Sequence, residues 1–150
     1  MSEEFRLARF KGLSDLSQDE LKLLATFLSF RTYKDGEEVL ADATGSSLKL
    51  VFSGRVKIYR TFPNGGTFAS FVEPNEMFGE VAFADQQGRT AHAMAVGETE
   101  IGKFDYQHFE VIKKQDPVFG MKFLLQLSKL LAGKYRALNQ KLDAILGQIL

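Results

Sequence analysis

Between Ser29 and about Asp105 the chain is cut into short runs of Val, Phe, Ile, Thr and Tyr by turn signals at regular intervals: KDGE, DATGSS, SGR, PNGG, EPNE and VGE. Many short strands at such spacing restrict the fold to an antiparallel sandwich or barrel. Within RVKIYRTF, Val56 and Ile58 share one face and Lys57, Tyr59 and Thr61 the other, and NGG closes a hairpin onto TFASFV. One side of that hairpin is therefore apolar and the other solvated. With 150 residues, 45% of them hydrophobic, the chain supports one domain with a core of its own.

Both flanks change period. Ser17 followed by Glu20 reads as a capping box, and Leu21, Leu24, Ala25 and Leu28 recur behind it at helical spacing. After EIGKF, the run DYQHFEVIKK suits a short helix, QDP interrupts it, and Pro117 is well placed in the first turn of a long helix because its missing N–H costs nothing there. Residues 1–116 are expected to form the β-barrel with its N-terminal helical segment, and 117–150 a long C-terminal helix of the same domain. In that helix Met121, Leu124, Ser128, Leu131, Tyr135, Leu138, Leu142, Ile145 and Ile149 step by alternating three and four residues, the pattern of a coiled-coil seam. Phe123, Leu125, Leu127 and Leu130 widen the stripe in the first half, so that half can cover the barrel while Ala137 to Leu150 is expected to project beyond it. A parallel homodimer is the expectation, and a helix folded back on its own domain is the plain alternative.

Composition excludes several classes. Lys+Arg and Asp+Glu both number 19, which removes any chain-wide drive toward nucleic acid or anionic membrane. With no Cys there is no disulfide framework, zinc ribbon or thiol nucleophile. The start MSEEFRLARF lacks an apolar h-region and no segment reaches the apolar length of a membrane span, so a cytoplasmic protein is expected. A metal-dependent enzyme on a similar barrel, such as a cupin, would want several His and carboxylate ligands on facing strands. Only His92 and His108 exist, and His108 falls in a helical stretch.

The stretch MFGEVAFADQQGRTAHAMAV carries the strongest chemical signal. Gly79 permits a tight backbone approach, and Glu80, Val81, Ala82 and Phe83 can start a short helix whose free amides form an anion site. Arg89 follows a short loop and can bring its guanidinium fork to the same anion, with the Thr90 hydroxyl beside it. Glu80 is oddly negative next to an anion unless it accepts a hydrogen bond from a hydroxyl of the same ligand, such as a ribose 2′-OH. The residues alone leave a second reading open, in which Glu80 is a first-turn carboxylate salt-bridged to Arg89.

FGEVAFADQQGRTAHA resembles the phosphate-binding cassette of cyclic-nucleotide-binding domains, with Phe78, Gly79, Glu80, Val81, Ala82, Arg89, Thr90 and Ala91 matching its pattern. FKGLSDLSQDELKLLA, YKDGEEVL, LKLVFSGRVKIYR and the helix after Pro117 occur in that family's order, so the resemblance covers nearly the whole chain. It implies a mainly-β α+β fold: an antiparallel double-stranded β-helix, or jelly-roll-like barrel, with an N-terminal helix and a long C-terminal helix. It implies phosphate binding by Gly79, Val81, Ala82 and Arg89 and ribose binding by Glu80. The ligand would be cAMP or cGMP, since a residue such as Thr90 is compatible with either, and no further cofactor is expected. Ile58 and Ala69 would face the purine, and Lys134 and Tyr135 would reach it from the lid region Leu130 to Tyr135. Tyr135 also lies on the seam, where its plain reading is a dimer-core residue. His92, where the family usually has a small or aliphatic residue, and the DATGSS segment depart from the pattern.

The function implied is a sensor that couples cyclic-nucleotide binding to the position of the long helix and the dimer arrangement, without catalysis. It could form the sensor part of a transcription regulator, although no nucleic-acid-binding domain is expected in this chain. The competing reading is a dimerisation or docking module that has lost the ligand.

Overall fold

The computed structural model describes residues 2–39, 46–89 and 91–150. Thr90 and most of the DATGSS segment lie outside these described residues. A short helix α1 (Glu3–Leu7) and a single 3₁₀ turn (Lys11–Leu13) precede α2 (Gln18–Thr26). The capping box is formed in full: the Ser17 amide donates to the Glu20 carboxylate at 2.8 Å, and the Glu20 amide donates to the Ser17 hydroxyl at 3.2 Å. Glu20 also receives Lys122 of the long helix at 2.5 Å. Burial opposes ionisation of this carboxyl, but the Lys122 and Ser17 hydrogen bonds outweigh it and hold its pKa below the ordinary value.

The strands are β1 (Ser29–Tyr33), β2 (Leu48–Thr61), β3 (Thr67–Val72), β4 (Met77–Phe78) and β5 (His92–Phe104). They pair antiparallel in the order β1-β5-β2-β3, with β4 on β2. This is an antiparallel arrangement as the strand spacing predicts, and the jelly-roll-like fold that the family resemblance implies. The Phe62 amide donates to the Gly66 carbonyl at 2.8 Å and closes the β2–β3 hairpin at NGG. SGR and VGE, however, do not separate strands. Both lie inside the two longest ones, β2 and β5, where the pairing slips between Val51 and Arg55. Gly54 has φ +81°, and a Cβ there would come within 2.6 Å of Thr99 Cα. The bulge changes which face each side chain takes: Leu48 and Leu50 enter a core shared with the helices, whereas Val56 and Ile58, also even-numbered, face the barrel interior. One pair of strands thereby serves two cores.

The barrel interior is filled by small and branched side chains, among them Val51, Val56, Val72, Ala93, Ala95 and Ile101. The second core is aromatic and lies under the helices. Helices α3 (Glu80–Asp85), α4 (Tyr106–Gln115) and α5 (Pro117–Ile149) meet there. Phe123 of α5 packs against Phe83 of α3, Phe104 of β5, Phe109 of α4 and its own neighbour Phe119, with ring centroids 5.4–6.5 Å apart. Asp116 caps α5 by accepting from the Phe119 amide at 3.1 Å, and Pro117 occupies the first turn. The helix docks through Phe119, Phe123, Gln126 and Leu127, whereas everything from Ala132 onward is exposed. No helix among the described residues is long and apolar enough to cross a membrane.

Candidate ligand-binding site

The bend from β4 into α3 is what the glycine at position 79 makes possible. Phe78 and Met77 pair with Lys49 and Leu50 of β2, and the chain then turns through Gly79 at φ +82°. A Cβ on Gly79 would lie 2.8 Å from the Ser47 carbonyl oxygen. The left-handed conformation and this close approach together exclude a side chain. The first intrahelical bond of α3 runs from the Phe83 amide to the Gly79 carbonyl at 3.0 Å, so the amides of Glu80, Val81 and Ala82 precede the hydrogen-bonded turn. Gly79→Ala is expected to lower stability by about 2 kcal/mol, read as a fall of roughly 6 °C in melting temperature. An unchanged melting curve would mean that the bend tolerates a side chain.

These residues border a cavity of about 580 Å³, within the size range of small-molecule sites. Gly79, Glu80, Val81 and Ala82 form one wall with Arg89 and Ala91, and Ile58 lies on another. Glu80 is 6% exposed and Ala82 4%, whereas Arg89 is exposed. Among the described residues the lining cations are Lys11, Arg89, Lys134 and Lys141 and the lining carboxylates are Glu76 and Glu80, a balance that suits an anionic ligand. Glu80 makes its ion pair with Lys134 of α5, at 2.9 Å, rather than with Arg89. The locally salt-bridged turn is therefore not what holds the carboxylate.

A family model for the cyclic nucleotide-binding domain matches residues 30–116. The chain belongs to the cyclic nucleotide-binding domain family. The cyclic AMP receptor protein of Thermus thermophilus is 28% identical over 132 residues, covering 87% of this chain and 59% of that protein. Glutaminase 1 of Bradyrhizobium diazoefficiens is 30% identical over 146 residues, covering 95% of this chain and 23% of that protein. The chain thus spans less than two thirds of either curated relative. The crystal structure of a cyclic nucleotide-binding domain from Methylobacillus flagellatus KT has the same fold, with a TM-score of 0.81 at 23% identity over 99% of this chain and 83% of that one.

Within this cyclic nucleotide-binding domain, the cavity does not gather every residue expected from the sequence. Ile58 pairs with Ser70 and Tyr59 with Ala69, so Ser70 shares the face of Ile58 and lines the cavity, while Ala69 turns outward. Lys134 lines the cavity but is engaged by Glu80 and by the Met77 carbonyl at 3.1 Å. Tyr135 is 65% exposed and stays outside it. Thr90 lies outside the described residues. Sequence reasoning missed Phe68 and Ser70 of β3 and Ala137, Leu138 and Lys141 of α5. A signal for the helix residues existed: 130, 134, 137, 138 and 141 fall on one helical face, and the expected lid region ended too early to include the last three. No group of three or more His, Cys, Asp or Glu side chains among the described residues is placed to hold a metal ion, and His92 sits at the rim of β5, its ring 5.3 Å from that of Tyr59.

Proposed function

We propose that this domain is a cyclic-nucleotide sensor acting by binding rather than by catalysis. The observation that carries the reading is the convergence, on one cavity, of the α3 start, Arg89 and the buried Glu80 with a face of α5. The phosphate of cAMP or cGMP would take the amides of Val81 and Ala82 and the guanidinium of Arg89, with Ala91 beside it. Glu80 would accept the ribose 2′-OH, and the purine would lie between Ile58 and Ser70 on the sheet and Leu130, Ala137 and Leu138 on the helix. The name of the Thermus relative favours cAMP. A ligand touching both walls binds one helix position better than others, and that difference in affinity is what shifts the helix.

A thermal-shift titration with cAMP, cGMP and linear 5′-AMP tests this. At a hundredfold excess over its dissociation constant, a ligand specific to the folded state adds about 2.7 kcal/mol. A raised melting temperature with a cyclic nucleotide but not with 5′-AMP is expected. No shift with any of them would favour a dimerisation or docking module without ligand.

The same reading makes residues 117–150 the lid and dimerisation helix of the domain. Leu138, Leu142, Ile145 and Ile149 are 49–73% exposed along one line of α5. An isolated projecting helix with this much apolar surface is marginal in water, and a second copy in parallel would bury it. A chain ended after Gly133 is expected to sediment as a monomer, whereas a persistent dimer would place the interface elsewhere.

A further inference from the structure

Lys134 leaves the exposed half of α5 and reaches back to the bend that carries the cassette. Its Nζ lies 2.9 Å from Glu80 Oε2 and 3.1 Å from the Met77 carbonyl, so it grips the residues on either side of Phe78 and Gly79. The pair is asymmetric: the Glu80 side chain is 8% exposed and that of Lys134 44%. A carboxylate so deep needs a counter-charge, and here the charge comes from across the fold. The cavity of about 580 Å³ is present with the ion pair intact and is bounded by both partners. A ligand therefore does not have to break the pair in order to enter.

We propose that Lys134 is the positioning residue for the ribose-reading carboxylate: it holds Oε2, leaves Oε1 as the acceptor for the ligand hydroxyl, and ties the long helix to the cassette through the same ion pair. This rests on the reading of Glu80 as the ribose contact. One ammonium proton goes to the Met77 carbonyl, the charge pairs with Glu80, and the ammonium keeps donor capacity for the ligand or a water. Because ligand and helix meet on one carboxylate, whatever Lys134 contributes to ligand affinity the ligand returns to helix attachment.

The test measures cAMP and 2′-deoxy-cAMP binding by calorimetry in the unmodified protein, Lys134→Met, Glu80→Gln and the double variant. Lys129→Met serves as control, since Lys129 joins the same helix to Asp15 at 3.5 Å away from the cassette. Lys134→Met is expected to weaken cAMP about tenfold and 2′-deoxy-cAMP little, so that preference for the ribose hydroxyl falls to the Glu80→Gln level. The double variant should show no further loss of preference, and Lys129→Met should keep the original preference. Equal losses for both ligands in Lys134→Met, with binding by the unmodified protein intact, would reduce Lys134 to a helix-packing contact and overturn the positioning role alone. Failure of the unmodified protein to bind either ligand would overturn the proposal through the reading it rests on. A ligand-free arm reads the tie directly: hydrogen exchange across 130–138 should quicken equally in Lys134→Met, Glu80→Gln and the double variant. Exchange unchanged in both single variants would overturn the tie.

Discussion

Arg89→Ala is expected to weaken cyclic-nucleotide binding by about a hundredfold. Hydrogen bonds to charged groups contribute about 1.5–3 kcal/mol each, and a hundredfold corresponds to roughly 2.7 kcal/mol. Arg89 lines the cavity on the same wall as Val81 and Ala82, where its fork can meet a phosphate that the amides alone would hold weakly. Arg89→Lys retains the charge but not the two parallel donors, so about a tenfold loss is expected from it. Titration calorimetry on both variants, with melting curves to confirm folding, checks the pair. Full affinity in Arg89→Ala would remove Arg89 from the phosphate site.

The second large effect lies in the aromatic core. Phe123→Ala is expected to destabilise the domain by about 4 kcal/mol, the middle of the range for truncating a buried phenylalanine. Phe123 is 3% exposed and its ring is surrounded by those of Phe83, Phe104, Phe109 and Phe119, so little can collapse into the space it leaves. For a chain of this size that is a fall of roughly 8–16 °C in melting temperature. A change of about 2 °C or less would show that α5 is not anchored through this cluster. The cluster also joins α3, which starts the cassette, to α5, so the two elements that border the cavity share a core as well as an ion pair.

Local signals in the sequence were read correctly where the physics is local. Ser17 with Glu20, Pro117 in the first turn of α5, and NGG each act within a few residues, and each forms the cap, helix start or turn its chemistry dictates. The apolar pattern of α5 is less decisive: Phe123 and Leu127 dock, but Leu125 is exposed, Gln126 is buried, and Ala137 and Leu138, expected to project, line the cavity. The glycines at 54 and 97 misled because φ > 0 serves a bulge as well as a turn, and only the partner strand decides between them. The expectation that Ala69 faces the cavity differs from the structure for a related reason. Alternation along β3 gives two faces but does not say which one looks inward, and the pairing of Ser70 with Ile58 does. The Lys134 contact joins groups 57 positions apart, beyond the reach of any helical or strand period.

Nitrogen–proton NMR of the cassette amides during a cAMP titration tests the central claim most directly. The account predicts that the Val81 and Ala82 amide signals shift and saturate together, that linear 5′-AMP leaves them in place, and that Arg89→Ala greatly weakens the response. Saturable shifts confined to other parts of the domain, or the same response in Arg89→Ala, would contradict it.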